Sequence, residues 1–262
     1  MATKRMQGDL WGTAPEDWAL YLETTFIPVY KKIIFKSALS SASNLLDIGC
    51  GSGLFMKMAG ARGALITGID VSDELLKIAR ERNPAANFLN QDMEHLPFEQ
   101  KSFDLVTGFN SFQYADDMMN VLQEIKGVMK DDGKLVISIW GSPAECEALS
   151  VLSSVASLLP DPDPSGPGPL ALSKAGKVEG LLSAAGFLIV EKGTIECPWN
   201  FSTLENALRG ILSAGPSAQA INYAGIDKVK EILIKTLEPF NIYDELYHLE
   251  NVFHFYIAGK AS

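Results

Sequence analysis

Asp47, Gly49, Gly51 and Gly53 stand at alternate positions in the run Asn44-Leu45-Leu46-Asp47-Ile48-Gly49-Cys50-Gly51-Ser52-Gly53, and Asp70 follows seventeen residues after the last glycine. Glycines so spaced bring backbone tight against a ligand, because only glycine tolerates the positive φ and close approach of such a turn. Leu54 stands where a G-x-G-x-x-G fingerprint wants its third glycine, and the Gly-Lys-Ser/Thr of a phosphate loop is absent. A pyrophosphate would sit poorly beside Asp47. An acid at the mouth of the turn instead suits a ligand with a cationic group and no phosphate. Asp70 adds a second preference, since the two oxygens of an ionised carboxylate can each accept from one hydroxyl of a ribose.

These residues need a scaffold, and the flanking sequence supplies one. Asn44 to Ile48 reads as a buried strand, too short for a helix and ended by glycines. Leu54 starts a helix whose free N–H groups point back at the turn. Ala64 to Asp70 reads as a second buried strand, with Ser72 or Asp73 as N-cap of the next helix. Asn87 to Met93 reads as strand then loop, and Ser102 to Asn110 as a fourth strand. A helix from Asp116 to Met129 carries Val121, Leu122, Ile125 and Val128 on one stripe, followed by a turn at Asp131-Asp132-Gly133-Lys134 and a strand from Leu135 to Trp140. Val178 to Ala185 is a short helix stopped by Gly186, and strands follow at 187–192 and 251–257. Strands alternating with helices predict an α/β fold, a parallel sheet covered on both faces.

The motif Asp47-x-Gly49-x-Gly51-x-Gly53 resembles motif I of the class I S-adenosylmethionine (SAM)-dependent methyltransferases, and matching segments continue in order along residues 44 to 141. The resemblance is to the small-molecule methyltransferases that include the ubiquinone and menaquinone biosynthesis enzymes. It implies a Rossmann-like seven-stranded sheet of order 3-2-1-4-5-7-6, with the last strand antiparallel, and SAM as cofactor with S-adenosylhomocysteine as product. By that resemblance Asp47, Gly49, Cys50, Gly51 and Gly53 cradle the cofactor, and Asp70 and Val71 take the ribose end. Gln91, Asp92 and Met93 hold the adenine, with Asp92 accepting from its exocyclic amine. Phe109, Asn110 and Gln113 lie towards the methionine end, where the acceptor pocket begins, and Tyr114 and Trp140 border it. Methyl transfer from a sulfonium needs mainly alignment and desolvation of the nucleophile. A general base is required only for a poor nucleophile such as a phenol or hydroxyl. His95 is the weak candidate for that base, with His248 and His254 behind it.

The rest of the chain divides into a front cover (1–43), a core (44–196 and 249–262) and a helical lid insertion (197–248). Pro15 opens a helix in the cover, where Trp18, Tyr21, Leu22 and Phe26 recur at helical spacing, and a second helix runs from about Pro28 to Leu39. Trp11 either touches ligand or buries against the core. Five prolines at 160–169 exclude helix and interior strand and read as a hinge or a plain surface connection. The insertion holds two helical stretches, near 202–214 and 227–237, the first with a Ser202/Glu205 capping box. Either the cover or the insertion is the moving lid. The aromatic load of Trp11, Trp18, Tyr21, Trp140, Trp199, Phe201 and Tyr223 leans towards a planar or apolar acceptor.

A formal charge of −10 argues against a broad phosphate-binding surface and so against nucleic acid as substrate. No run approaches the roughly 18 apolar residues of a membrane helix, and the first eight residues lack a signal-peptide core. Cys50, Cys146 and Cys197 fit neither a disulfide framework nor a metal cluster and read as reduced thiols in a cytoplasm. The expected partner is a small-molecule methyl acceptor, with no nucleic acid, membrane or metal. The acceptor's identity and the oligomeric state stay open. The competing readings are a non-catalytic SAM- or nucleoside-binding module and an NAD-dependent oxidoreductase, the second disfavoured by Leu54 and Asp47.

Overall fold

The computed structural model describes residues 2–160, 168–243 and 246–261. Three helices precede the sheet: α1 (Ala2–Trp11), α2 (Pro15–Asp17) and α3 (Ile27–Lys36). A π-turn at Trp18–Leu22 and a 3-10 turn at Glu23–Phe26 join the last two. The core then alternates β1 (Asn44–Ile48), α4 (Leu54–Gly60), β2 (Leu65–Asp70), α5 (Asp73–Arg82), β3 (Asn87–Asn90), β4 (Phe103–Phe109), α6 (Met118–Val128) and β5 (Met129–Trp140). α7 (Ala148–Ala156), α8 (Lys177–Ala184) and β6 (Phe187–Glu196) follow. A distal stretch carries β7 (Trp199–Phe201), α9 (Leu204–Leu212), α10 (Gly215–Ala224), α11 (Ile226–Leu237), β8 (Asn241–Tyr243) and β9 (Leu246–Leu249), and β10 (Val252–Lys260) returns to the sheet.

The main sheet has seven strands in the order β3-β2-β1-β4-β5-β10-β6. β1 to β5 pair in parallel, and β10 runs antiparallel to both β5 and β6. The expected order 3-2-1-4-5-7-6 is therefore the observed one, with β10 as the seventh strand. β1 has Leu45, Leu46, Asp47 and Ile48 all buried, as a central strand covered on both faces must. One core face packs α3, α4 and α7 against Leu45 and Val136; the other packs α6 and α8 against Leu46 and Leu135. Among the described residues no helix is long and apolar enough to cross a membrane.

Several local expectations are corrected. The turn at Asp131–Lys134 is an excursion inside β5: Phe103 pairs with Met129 but Leu105 with Lys134, so exposed Asp131 and Asp132 loop out while the strand resumes. Thr203, not Ser202, caps α9, its hydroxyl accepting from Asn206 N at 3.1 Å, so the Ser202/Glu205 box does not form. Among the described residues, the 197–249 stretch holds α9, α10 and α11 and a small sheet of order β7-β9-β8, more than the two helical stretches expected. α7, with its serines of modest helix propensity, is carried by the buried stripe Ala148, Leu149, Val151, Leu152 and Val155. Of the proline-rich segment, residues 161–167 lie outside the described residues.

α1 docks through two glycines. A Cβ on Gly8 would stand 2.3 Å from the Val71 carbonyl oxygen, and one on Gly12 3.0 Å from Ser72 Oγ. The helix thus lies directly on the β2–α5 turn and holds Trp11 over the carboxyl ends of the strands.

Candidate functional site

A cavity opens at the carboxyl ends of β1, β2 and β4, beneath the N-terminal helices, where doubly wound sheets bind ligands. Gly49, Gly51 and Gly53 have φ of +74°, +53° and +77°, the left-handed conformation that side chains rarely adopt. Gly49 and Gly51 line the cavity together with buried Cys50. Gly53 does not; it faces α5, where a Cβ would come 2.8 Å from Asn83 Nδ2, which donates to the Gly53 carbonyl at 3.0 Å.

Asp70 lines the cavity at the end of β2. It accepts from Gly51 N and from Ser72 N, both at 2.9 Å, so one carboxylate oxygen ties to the glycine turn and the other to the start of α5. Ser72 itself is the N-cap of α5. Burial raises the Asp70 pKa, and these backbone donors oppose the rise. A carboxylate oxygen has two lone-pair sites, so each retains capacity for a ligand hydroxyl. Val71, Gln91, Asp92 and Met93 continue the wall.

Asp47 is not at the mouth of the turn. It is 2% exposed, lies outside the cavity wall, and accepts from Thr107 Oγ1 at 2.6 Å. Burial pushes its pKa up to about 7. Its carboxyl therefore turns to Thr107 and not to the cavity. Glu23, an acid outside the glycine motif, lines the cavity beside the turn together with Asp70.

Glu23 is 2% exposed. Its Oε2 accepts from Ser52 Oγ and from Arg82 Nη1, the latter at 2.6 Å, while Oε1 takes only Leu54 N at 3.2 Å. Burial raises the Glu23 pKa, and the Arg82 guanidinium opposes this as the largest of the lowering influences. The first free N–H of the short helix α4 is thus already partnered by a side chain from the N-terminal segment. A signal for Glu23 did exist: Ala19, Leu22 and Phe26 form a buried helical stripe, and Glu23 sits on it as a charge where an apolar residue belongs.

At the other end the cavity is aromatic. Phe26, Tyr30, Phe109, Trp140 and Trp199 line it with Leu152. Tyr30 meets Phe109 edge-on at 4.9 Å between ring centroids, and Trp140 meets Trp199 at 5.8 Å. Asn110 has a left-handed conformation at φ +52°; with its side-chain amide turned so that nitrogen faces Ser138 and oxygen faces Trp140, it donates to the Ser138 carbonyl at 3.1 Å and accepts from Trp140 Nε1 at 3.3 Å. Trp11 and Tyr114 close the entrance, 5.6 Å apart and edge-on, with Trp18 4.9 Å from Trp11. Trp11 donates Nε1 to Gln7 Oε1 at 3.1 Å. Among the described residues, Trp18 Nε1, Trp199 Nε1 and Gln113 Oε1 are buried polar atoms of cavity-lining side chains with no protein partner.

His95 is exposed and does not line the cavity. His248 pairs with Asn200 Oδ1 at 2.7 Å, and His254 with Glu145 Oε1 at 3.3 Å. No histidine is among the described residues that form the wall. Burial raises the pKa of Tyr30 and of Tyr114, so both keep their protons at neutral pH.

Residues 46–137 match a family model described as a methyltransferase domain. A ubiquinone biosynthesis O-methyltransferase of Xanthomonas axonopodis pv. citri is 31% identical over 140 residues, 51% of this chain and 59% of that protein. One from Coxiella burnetii is 28% identical over 134 residues, 50% of this chain and 56% of the relative. The chain thus spans a little over half the length of these curated relatives. Among solved structures, the YcgJ protein of Bacillus subtilis superposes with a TM-score of 0.59 at 18% identity, covering 89% of this chain and 98% of that one. A candidate methyltransferase from Bacillus halodurans C-125 gives 0.61 at 18% identity, covering 89% and 99%.

Proposed function

We propose, from the premise that residues 46–137 form a class I methyltransferase domain, that the protein transfers a methyl group from SAM to a small, largely apolar acceptor. The observation that carries this reading is one cavity lined by the glycine turn, Asp70 and the Gln91–Met93 loop and continuous with an aromatic chamber. The donor set fits the cofactor. Asp70 suits ribose hydroxyls, and Asp92 with Met93 suits an adenine amine and ring. A Cβ on Gly51 would intrude on the space this cradle leaves, and Glu23 sets a negative charge where a phosphate would be repelled.

Bound there, SAM supplies a methyl already activated on a sulfonium, so the reaction needs alignment and a dry site more than proton transfer. The aromatic wall excludes water and orients a flat acceptor. Tyr30 and Tyr114, protonated, serve as donors and not as bases. His95, facing solvent, has no part in this reading. The acceptor accordingly brings a nucleophile that needs no histidine to ionise it, at O, N or C. A non-catalytic SAM-binding role uses the same cradle and differs only in lacking turnover.

Asp70→Ala tests the assignment. Hydrogen bonds to charged groups contribute about 1.5–3 kcal/mol, so S-adenosylhomocysteine should bind roughly ten- to hundredfold more weakly. An unchanged dissociation constant in calorimetry would reduce Asp70 to a brace between the glycine turn and α5.

A further inference from the structure

We infer that Trp18 and Glu23, both from the N-terminal segment, together read the zwitterionic amino-acid end of the cofactor. The inference rests on the SAM reading above and adds two residues that the sequence motifs do not include. A Cβ built on Gly51 would stand 3.3 Å from Trp18 Nε1 and 3.6 Å from Glu23 Oε1. One hydrogen-bond donor and one anionic acceptor therefore converge on the same patch of bare backbone.

Each atom has capacity to spare. Trp18 Nε1 is buried with no partner, although an indole N–H can only donate and is normally satisfied when buried. Glu23 Oε1 holds a single long bond from Leu54 N, while Ser52 and Arg82 occupy Oε2. Arg82 fixes the carboxylate with its other oxygen towards the cavity, which Glu23 lines. An α-amino acid places an ammonium and a carboxylate on one carbon, so it can satisfy Glu23 Oε1 and Trp18 Nε1 at once. A phosphate would meet the charge of Glu23. A nucleoside without the amino acid would leave the indole N–H unpaired. With Asp47 withdrawn behind the turn, and Asp70 tied to Gly51 N and Ser72 N, Glu23 Oε1 is the carboxylate oxygen that shares this patch with Trp18 Nε1.

The test compares two nucleosides that differ in this group. S-Adenosylhomocysteine carries the amino acid; 5′-deoxy-5′-methylthioadenosine keeps the adenine, ribose and sulfur but lacks it. Trp18→Phe removes the N–H and keeps an aromatic ring against Trp11. Calorimetry should show affinity for S-adenosylhomocysteine falling about tenfold or more, as for a lost bond to a charged group. Affinity for methylthioadenosine should stay within about twofold on the same scale. Glu23→Gln, close in shape to the native residue, should show the same selective loss. Equal losses for both nucleosides would mean that the variants disturb the cavity as a whole, and no loss for either would make the pair plain wall; both results overturn the inference. A native protein that binds neither nucleoside overturns the cofactor reading and this inference together.

Discussion

Gly51→Val is expected to leave a folded protein with no measurable affinity for S-adenosylhomocysteine. Gly51 has φ +53°, a region that costs a side-chain-bearing residue about 1–2 kcal/mol and a β-branched one more. That strain is a fraction of the roughly 5–15 kcal/mol by which domains are stable, so the chain should still fold. Binding suffers far more. The Cβ would already approach Trp18 Nε1 to 3.3 Å, and two methyl groups beyond it would fill the cradle. A loss of at least about a hundredfold follows from the exclusion, equivalent to about 2.8 kcal/mol. Native circular dichroism together with retained micromolar affinity would show that no ligand occupies the space over Gly51.

Glu23→Ala is expected to cost stability before it costs anything else. The variant removes the acceptor of Ser52 Oγ and Leu54 N and the anionic partner of Arg82, whose Nη1 keeps only the Ser52 hydroxyl oxygen at 2.9 Å. The Arg82 side chain is 18% exposed, so water can replace the lost partner only in part. Removing one member of such a buried pair costs about 3 kcal/mol, which for a chain of this size lowers Tm by roughly 6–12 °C. Adding Arg82→Ala should recover part of the loss, because the double variant no longer buries an unpaired charge. A Tm unchanged in the single variant would mean that the N-terminal segment is not anchored to the glycine turn through Glu23.

The glycine turn and Asp70 were legible because their signal is local. Positive φ at three alternate glycines and an acid ending the next strand are written within twenty-odd residues. The order of the main sheet was legible because short buried strands alternate with amphipathic helices, and the resemblance to a known family supplied the rest of the topology. The place of Asp47 was not legible. Strand alternation puts Asp47 on the face of Leu45, but only the packed fold tells whether that face meets a ligand or Thr107. α1 docks by the absence of side chains at Gly8 and Gly12, which no hydrophobic period records. The small sheet joins Trp199–Phe201 to Leu246–Leu249, partners separated by three helices, and such non-local pairing leaves little trace in either segment. Glu23 is the instructive omission, since an acid on a buried stripe is a polar group that needs a partner, and its partners lie on the glycine turn and on α5.

The central claim is that this cavity is built for SAM and not for a phosphate-bearing dinucleotide. Its most direct test is a calorimetric titration of the intact protein with S-adenosylhomocysteine and, separately, with NAD. Saturable one-to-one binding of S-adenosylhomocysteine and no heat of binding with NAD is the predicted result. Binding of NAD in preference to S-adenosylhomocysteine would contradict it, because the carboxylates of Glu23 and Asp70 would then be facing a pyrophosphate.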